Sequence, residues 1–313
     1  MPAPEAHPPL RARDRVLPIG RRTYVMAILN LTADSFSGDG VGSDLDEAVR
    51  KAVAAQTEGA DIIDLGAESA RADVPVRDPG EEAGIVAEAV RRVAVETDLL
   101  ISVDTYKRPV AEAALQAGAH VVNDIGGFMY DAGTAEAAAR FGAALVINYT
   151  YERPKIRPSE PPQYGDLVGQ HLAFLRDRIA TAVACGVAPE AIAVDPGIAF
   201  GKSHDEDLQI LRQLPTFREL GRPVLVAASR KHFIGSVLGV PPDDRDAPTL
   251  AVTALSIALG ADIVRVHDVR SNVQAARIAD AIVRGQTGQY AATAESWPWA
   301  AGAAPIPGTT ITR

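Results

Sequence analysis

Short apolar runs rich in Val and Ile recur along the chain, each followed by a polar or glycine-rich break and then an alanine-rich helical pattern. The runs are YVMAILN (24–30), DIIDLGA (61–67), LISVDT (100–105), HVVNDI (120–125), AALVINY (143–149), IAVDPG (192–197), PVLVAAS (223–229) and DIVRVH (262–267). Such nearly continuous hydrophobic strands, alternating with helices such as Asp44 to Glu58 and Pro109 to Gln116, predict a parallel sheet covered on both faces. Eight units of this kind close a barrel more naturally than they extend an open sheet. The predicted fold is therefore α/β, a single (β/α)8 TIM barrel over residues 16–284. The doubly wound alternative usually places a glycine-rich phosphate turn directly after its first strand, and ILNLTADSFSGDG lacks that fingerprint.

Residues 1–15, rich in Pro, Arg and Ala, read as a loose N-terminal extension, and 285–313 as a poorly ordered tail. Trp297 and Trp299 in that tail either dock on a folded surface or stay unpacked, and no function is assigned to them.

Composition narrows the function. A length of 313 residues with 47% hydrophobic content is enough for a large core, and barrels of this size form one domain. The formal charge of −9 argues against nucleic acid or an anionic membrane as main partner and favours a small-molecule substrate. Cys185 is the single cysteine, so neither an intrachain disulfide nor a cysteine metal cluster can form. The first residues lack the apolar run of a secretory signal, and no uncharged apolar stretch reaches the roughly 18 residues of a membrane span. The expected location is the cytoplasm.

The polar residues fall at strand ends. Asn30, Asp64 with Glu68, Asp104, Asn123, Asn148, Asp195, Lys231, and Arg265 with His267 each lie at or just beyond the carboxyl end of a run. Parallel closure gathers them at one mouth, where barrel enzymes keep their chemistry. Taken singly, an Asp or Asn in such a place can equally cap the next helix, and Asp104 and Asn30 are the clearest candidates for caps. Asp195 leads into Pro-Gly, a turn rather than a helix start. Lys231 can serve as a fixed positive charge or snorkel into solvent, and His267 can be a ligand or a satisfied core histidine.

Carboxylates and carboxamides in an apolar barrel suit a flat heterocycle with adjacent ring N–H and amino groups, guanine-like or pterin-like. Arg265, His267 and the GKSH loop at 201–204 suit a phosphate. A heterocycle cradle beside an anion clamp points to group transfer with a phosphate or pyrophosphate leaving group. No GxSxG elbow is present, and Cys185 in VACGVAP reads as a surface turn, so covalent catalysis is not indicated.

In order along residues 22–284, AILNLTADSFSGDG, GADIIDLGAESAR, ISVDTYK, AHVVNDIGG, AVDPGIAFGK, LVAASRKHFIG and IVRVHDV resemble segments of the dihydropteroate synthase family. The resemblance implies a barrel, commonly a homodimer, that joins 6-hydroxymethyl-dihydropterin pyrophosphate to 4-aminobenzoate with magnesium (Mg2+) assisting the leaving group. It assigns Asp104, Asn123, Asp195 and Lys231 to the pterin ring, with Asp104, Lys231 and Arg265 as the catalytic set. Asn30, Arg265 and His267 are assigned to the pyrophosphate, and Asn30 also to the metal. Arg71, Phe200 and His232 would line the second-substrate pocket, and the loops Asn30 to Gly40 and Glu68 to Val76 would close over the substrates, excluding water from a cationic pterin methylene.

Departures fall mostly on the second-substrate side. The family's Thr-Pro reads Thr32-Ala33, and its Ser-Thr-Arg-Pro reads Ser69-Ala70-Arg71-Ala72. His232 stands where a serine commonly receives the aminobenzoate carboxylate, Asn148-Tyr149-Thr150 replaces a Met-His-Met type run, and Ile198-Ala199 replaces Phe-Gly. Three functions follow: a dihydropteroate synthase, a related transferase with another acceptor amine or pterin, or a pterin-binding protein without catalysis. Methyltetrahydrofolate-binding barrels are disfavoured because SRK and RVHDV resemble anion sites.

Overall fold

A computed structural model describes residues 8–32, 44–68, 74–154 and 162–285. The chain opens with an antiparallel hairpin, β1 (Leu10–Ala12) and β2 (Arg15–Leu17), in which Leu10 pairs with Leu17. Each of the eight apolar runs then forms a strand: β3 (Tyr24–Asn30), β4 (Ile62–Gly66), β5 (Leu100–Asp104), β6 (Val121–Asp124), β7 (Ala144–Asn148), β8 (Ile192–Asp195), β9 (Leu225–Val226) and β10 (Ile263–Val266). These strands are parallel, and β10 returns to lie between β3 and β9. The ring closes where Val194 bridges Val224 in parallel and its N–H reaches Pro223 O at 2.9 Å. A closed sheet has no edge strand left to pair with another chain.

Between the strands run α1 (Leu45–Glu58), α2 (Pro79–Glu96), α3 (Arg108–Ala117), α4 (Gly133–Phe141), α5 (Leu167–Ala184), α6 (His204–Arg212), α7 (Leu214–Phe217), α8 (His232–Leu238), α9 (Asp246–Ala258) and α10 (Val269–Arg284). Several carry the expected stop and start chemistry. Asp44 caps α1 by accepting from Glu47 N, Ser203 and Glu206 form a reciprocal capping box on α6, and Asp268 caps α10.

Side chains along each barrel strand alternate between two apolar clusters. Val25, Ala27, Ile63, Leu65, Ile101, Val103, Val122, Leu145 and Ile147 face the helices. Tyr24, Met26, Ile62, Val121, Ala144, Val146, Ala193, Leu225 and Ile263 fill the lumen, joined by Leu10, Ala12, Leu17 and Ile19 from the hairpin and its exit. The hairpin therefore plugs the amino end of the barrel. This corrects the expectation of a loose extension over 1–15: the folded unit begins before residue 16, because an open lumen end exposes apolar side chains and burying each Leu or Ile there contributes about 1.5–3 kcal/mol. The sequence beyond Gly285, with Trp297 and Trp299, lies outside the described residues.

Candidate active site

The lumen changes character along its axis. Residues on the lumen side of each strand are apolar at the amino half, and the same alternation carries the side chains of Asn30, Asp64, Ser102, Asp104, Asn123, Asn148, Asp195 and Arg265 into the carboxyl half. The register sets neighbours: Asp64 lies beside Ser102, Asp104 beside Asn123, and Asn148 beside Asp195. Gathering at one mouth is thus a consequence of strand parity and parallel closure. A separate depression of about 540 Å³, lined by Arg21, Arg22, Tyr24 and Asp98, sits at the opposite, amino end, away from these groups.

Asp64 is the hub of the polar layer. Fully buried, its Oδ2 accepts from Asn123 Nδ2 at 2.9 Å and from Arg265 Nε at 2.6 Å. Arg265 Nη2 donates to Asp104 Oδ2 at 2.7 Å, so one guanidinium spans two carboxylates on adjacent strands. Burial raises the Asp104 carboxyl to about 7 against the opposing pull of Arg265. Asp104 caps no helix: α3 begins at Lys107 with no side-chain cap, and α1 is capped by Asp44 rather than Asn30. Asp104, expected as one of the clearest caps, is therefore free of that duty.

Asp195 is buried, and its Oδ1 accepts from Gly197 N at 2.7 Å. Burial lifts it to about 6, partly offset by that bond and by Lys231 and Arg265. Lys231, half-buried, stands with its ammonium 5.1 Å from the centre of the Phe200 ring, and burial and Arg265 lower its pKa. Its backbone is held from behind. Arg230 adopts φ 56°, paired to Asp246 at 2.6 Å, while Arg245 Nη1 donates to Arg230 O at 3.1 Å. A non-glycine residue in the left-handed region is strained, and these contacts keep it there. Lys231 is fixed rather than free to snorkel.

Phe200 rides on a turn in which Ala199 has φ 68° and its N–H reaches Asp207 Oδ1 at 2.8 Å. Beside it, Lys202 Nζ donates to Phe200 O and lies 4.8 Å from the Tyr149 ring centre; burial lowers this ammonium to about 8. His267 Nδ1 and Ser229 Oγ are 2.9 Å apart, tying the ends of β9 and β10. His232 is exposed at the first position of α8, and burial, with Arg245, His204 and Lys231, lowers its pKa. Asn148 turns its amide to the carbonyls of Tyr149 and Ile125, a structural use. Arg71, like most of the first two loops, lies outside the described residues.

Some of the arrangement had no sequence signal. Lys107, placed in the sequence only by its motif, is buried between Glu68 and Glu82, and the hub role of Asp64 follows only from the register with β5 and β6. The Ser-Arg-Lys turn did carry a cue, since Arg245 and Asp246 follow within one helix of it.

The model of the family described as pterin binding enzyme matches residues 26–267. Dihydropteroate synthase from Clostridium beijerinckii is 39% identical over 85% of this chain and 96% of the relative, and that from Synechocystis is 40% identical over 88% and 96%. Among solved structures, Yersinia pestis dihydropteroate synthase in a sulfonamide drug complex superposes with a TM-score of 0.83 at 36% identity, covering 88% of this chain and 99% of that one. Xanthomonas albilineans dihydropteroate synthase with 4-aminobenzoic acid gives 0.79 at 33% identity, with 88% and 98% covered. With a barrel of the same fold, a family match that spans residues 26–267 and so the whole polar layer, and relatives of this likeness, the chain belongs to the pterin-binding enzyme family.

Proposed function

We propose that the chain is a dihydropteroate synthase, joining 6-hydroxymethyl-7,8-dihydropterin pyrophosphate to 4-aminobenzoate with release of pyrophosphate. The observation that carries this reading is the polar layer itself: Asp104 and Asp195, both raised by burial, face Lys231 and Arg265 in a barrel otherwise filled with apolar side chains. Carboxylates of Asp195 and Asp104 and the amide of Asn123 accept and donate along the amino-pyrimidine edge, while Lys231 serves the opposite edge of the ring. Arg265, His267 and Asn30 receive the pyrophosphate. As the methylene C–O bond breaks, its electron pair leaves with pyrophosphate, and these donors stabilise the charge that develops there. The acceptor amine then forms the C–N bond and gives up its proton to solvent, with Phe200 and His232 lining its side of the mouth.

Magnesium fits as a partner of the pyrophosphate rather than of a protein cage. No group of three His, Cys, Asp or Glu that could hold a metal occurs among the described residues, whereas magnesium commonly binds through one or two protein oxygens plus substrate phosphates. Asn30 at the end of β3 would supply such an oxygen. The ion would neutralise charge on the departing pyrophosphate.

A homodimer accords with the exposed Leu255 of α9 and Ile278 and Ile282 of α10, apolar side chains on neighbouring helices. A cytoplasmic setting accords with the free thiol of Cys185 and the phosphorylated substrate. No helix among the described residues is long and apolar enough to cross a membrane.

The deciding experiment is pyrophosphate release from hydroxymethyl-dihydropterin pyrophosphate and magnesium, with and without 4-aminobenzoate. Aminobenzoate-dependent release with dihydropteroate formed is the expected result. A second reading, a transferase with another acceptor amine, rests on His232 at the start of α8 in place of a small hydroxyl. Pterin binding without stimulation by aminobenzoate would select it, or a catalytically silent relative if no amine stimulates release.

A further inference from the structure

The turn between β8 and α6 that carries Phe200 is held by a tyrosine of the preceding βα unit. Tyr164, half-buried just before α5, donates its hydroxyl to Gly201 O at 2.7 Å and accepts from the Tyr149 hydroxyl at 3.4 Å. Burial and the Tyr149 phenol raise the Tyr164 hydroxyl above its ordinary value, so it remains a donor throughout the neutral range. Tyr149, just after β7, is itself fixed: His171 of α5 stacks on its ring with centres 3.4 Å apart, and Phe174 meets it edge-on at 5.0 Å. His171 is fully buried, pushed down to about 3 by burial, and bound through Nδ1 to Leu167 O at 2.7 Å, so a neutral imidazole ties this platform to the first turn of α5. The Tyr151 ring stands edge-on to Tyr164 at 5.8 Å, and its Cβ lies where a side chain at Gly201 would go.

Two successive carbonyls of the turn are thereby engaged, Phe200 O by Lys202 Nζ at 3.1 Å and Gly201 O by Tyr164. Ala199 and Gly201 on either side of Phe200 both lie in the left-handed region, with φ 68° and 71°, a shape that Ala199 does not favour and that the surrounding bonds must maintain. From this turn the Phe200 ring reaches to 5.1 Å from the Lys231 ammonium. We infer that Tyr164 is a positioning residue: its hydroxyl sets the height of the Phe200 ring against Lys231 and thereby the affinity of the site for the acceptor amine. The inference rests on the dihydropteroate synthase reading, in which Phe200 lines the acceptor side of the mouth, and it adds a residue that acts through Phe200 rather than on a substrate. Tyr164 lies in the connection from β7 to α5, away from every strand end, where the sequence pattern places no functional group.

The test is steady-state pyrophosphate release by the full chain with magnesium, varying 4-aminobenzoate and hydroxymethyl-dihydropterin pyrophosphate in turn. Tyr164→Phe keeps the ring and removes the donor. KM for aminobenzoate should rise about three- to tenfold, while kcat and KM for the pterin pyrophosphate stay within about twofold of wild type, the split expected when only acceptor binding is weakened. Phe200→Ala should raise the aminobenzoate KM by itself, and adding Tyr164→Phe to it should raise that constant no further, because the hydroxyl acts through the ring. Additive effects of the two substitutions, or an equal rise in both KM values, would show that Tyr164 only supports the barrel and would overturn the inference. So would an unchanged aminobenzoate KM in Tyr164→Phe. If that variant yields no folded protein, Tyr149→Phe, which removes the donor to Tyr164, takes its place: it should raise the same constant about two- to threefold, and no rise overturns the inference. Wild-type protein without aminobenzoate-dependent release would instead overturn the dihydropteroate synthase reading, and this assignment with it.

Discussion

Arg265 and Asp104, 161 residues apart in sequence, meet at 2.7 Å through Nη2 and Oδ2, and the Nε of the same guanidinium holds Asp64. The planar fork holds the two carboxylates from two separate nitrogens in a fixed relative geometry, whereas an ammonium would have to draw both to a single point. Arg265→Met leaves two carboxylates facing each other in the lumen and should cost about 3–5 kcal/mol by urea unfolding. Turnover should fall at least about 100-fold, since the same group would stabilise the departing pyrophosphate. Arg265→Lys should recover more of the stability than of the turnover. Equal recovery of both in matched unfolding and rate measurements would show that Arg265 acts on the reaction only through the fold.

The raised carboxyls set a pH dependence with a definite sign. Asp104 and Asp195 rise from 3.8 to about 7 and about 6, so the folded ligand-free protein holds these protons more tightly than the unfolded chain. Stability contributed by them is fully present below 3.8 and is lost as pH rises through about 6 and about 7. Pterin binding works in the opposite direction, because ionised carboxylates are the better acceptors for ring N–H groups. Affinity should therefore rise with pH across that window. Asp195→Asn should both weaken binding and flatten its pH profile between about 5 and about 7. A profile in the variant as steep as in the wild type would remove Asp195 from the linkage.

Much of this was legible in the chain. All eight apolar runs became strands, because fully buried parallel strands leave a continuous Val and Ile signature. The strand-end polar residues came together because parity and closure are geometric necessities once the strands are known. Leu10 to Leu17 was missed because a three-residue strand in a Pro- and Arg-rich segment has too few positions to show a period. The reading of Asp104 as a cap failed because capping depends on where the helix begins, several residues downstream, which strand ends do not reveal.

Gly197 is where the Asp195 turn allows no side chain. It has φ 71°, and a Cβ there would lie 2.0 Å from Tyr149 O, in backbone that cannot swing aside. Gly197→Ala must therefore move the turn that donates to Asp195 Oδ1. We expect a loss of about 1–3 kcal/mol in denaturant unfolding together with weaker pterin binding. Unchanged pterin affinity in a destabilised variant would mean that the Gly197 bond does not orient Asp195.

Lys107 provides the sharpest stability test, because it is a buried cation with two buried anions. Its ammonium contacts Glu68 at 2.5 Å and Glu82 at 2.6 Å and also donates to Arg77 O at 2.9 Å, joining the end of β4 to the start of α2. The two carboxyls respond differently. Burial pushes Glu68 upward, but bonds from Lys107, Tyr106 and the Arg77 N–H outweigh it and hold Glu68 low. Glu82, 1% exposed, receives less help, and burial leaves it raised. Lys107→Met strips both of their counter-ion and should cost about 3–5 kcal/mol near neutral pH. Because protonation can then neutralise both groups, the deficit should shrink as pH falls towards about 5. Adding Glu82→Gln to Lys107→Met should recover part of the loss at neutral pH, whereas Glu82→Gln alone should be milder than Lys107→Met. Unfolding curves of the four proteins at two pH values decide it: a deficit independent of pH would mean that lost packing around the lysine stem, not uncompensated charge, is what the substitution removes.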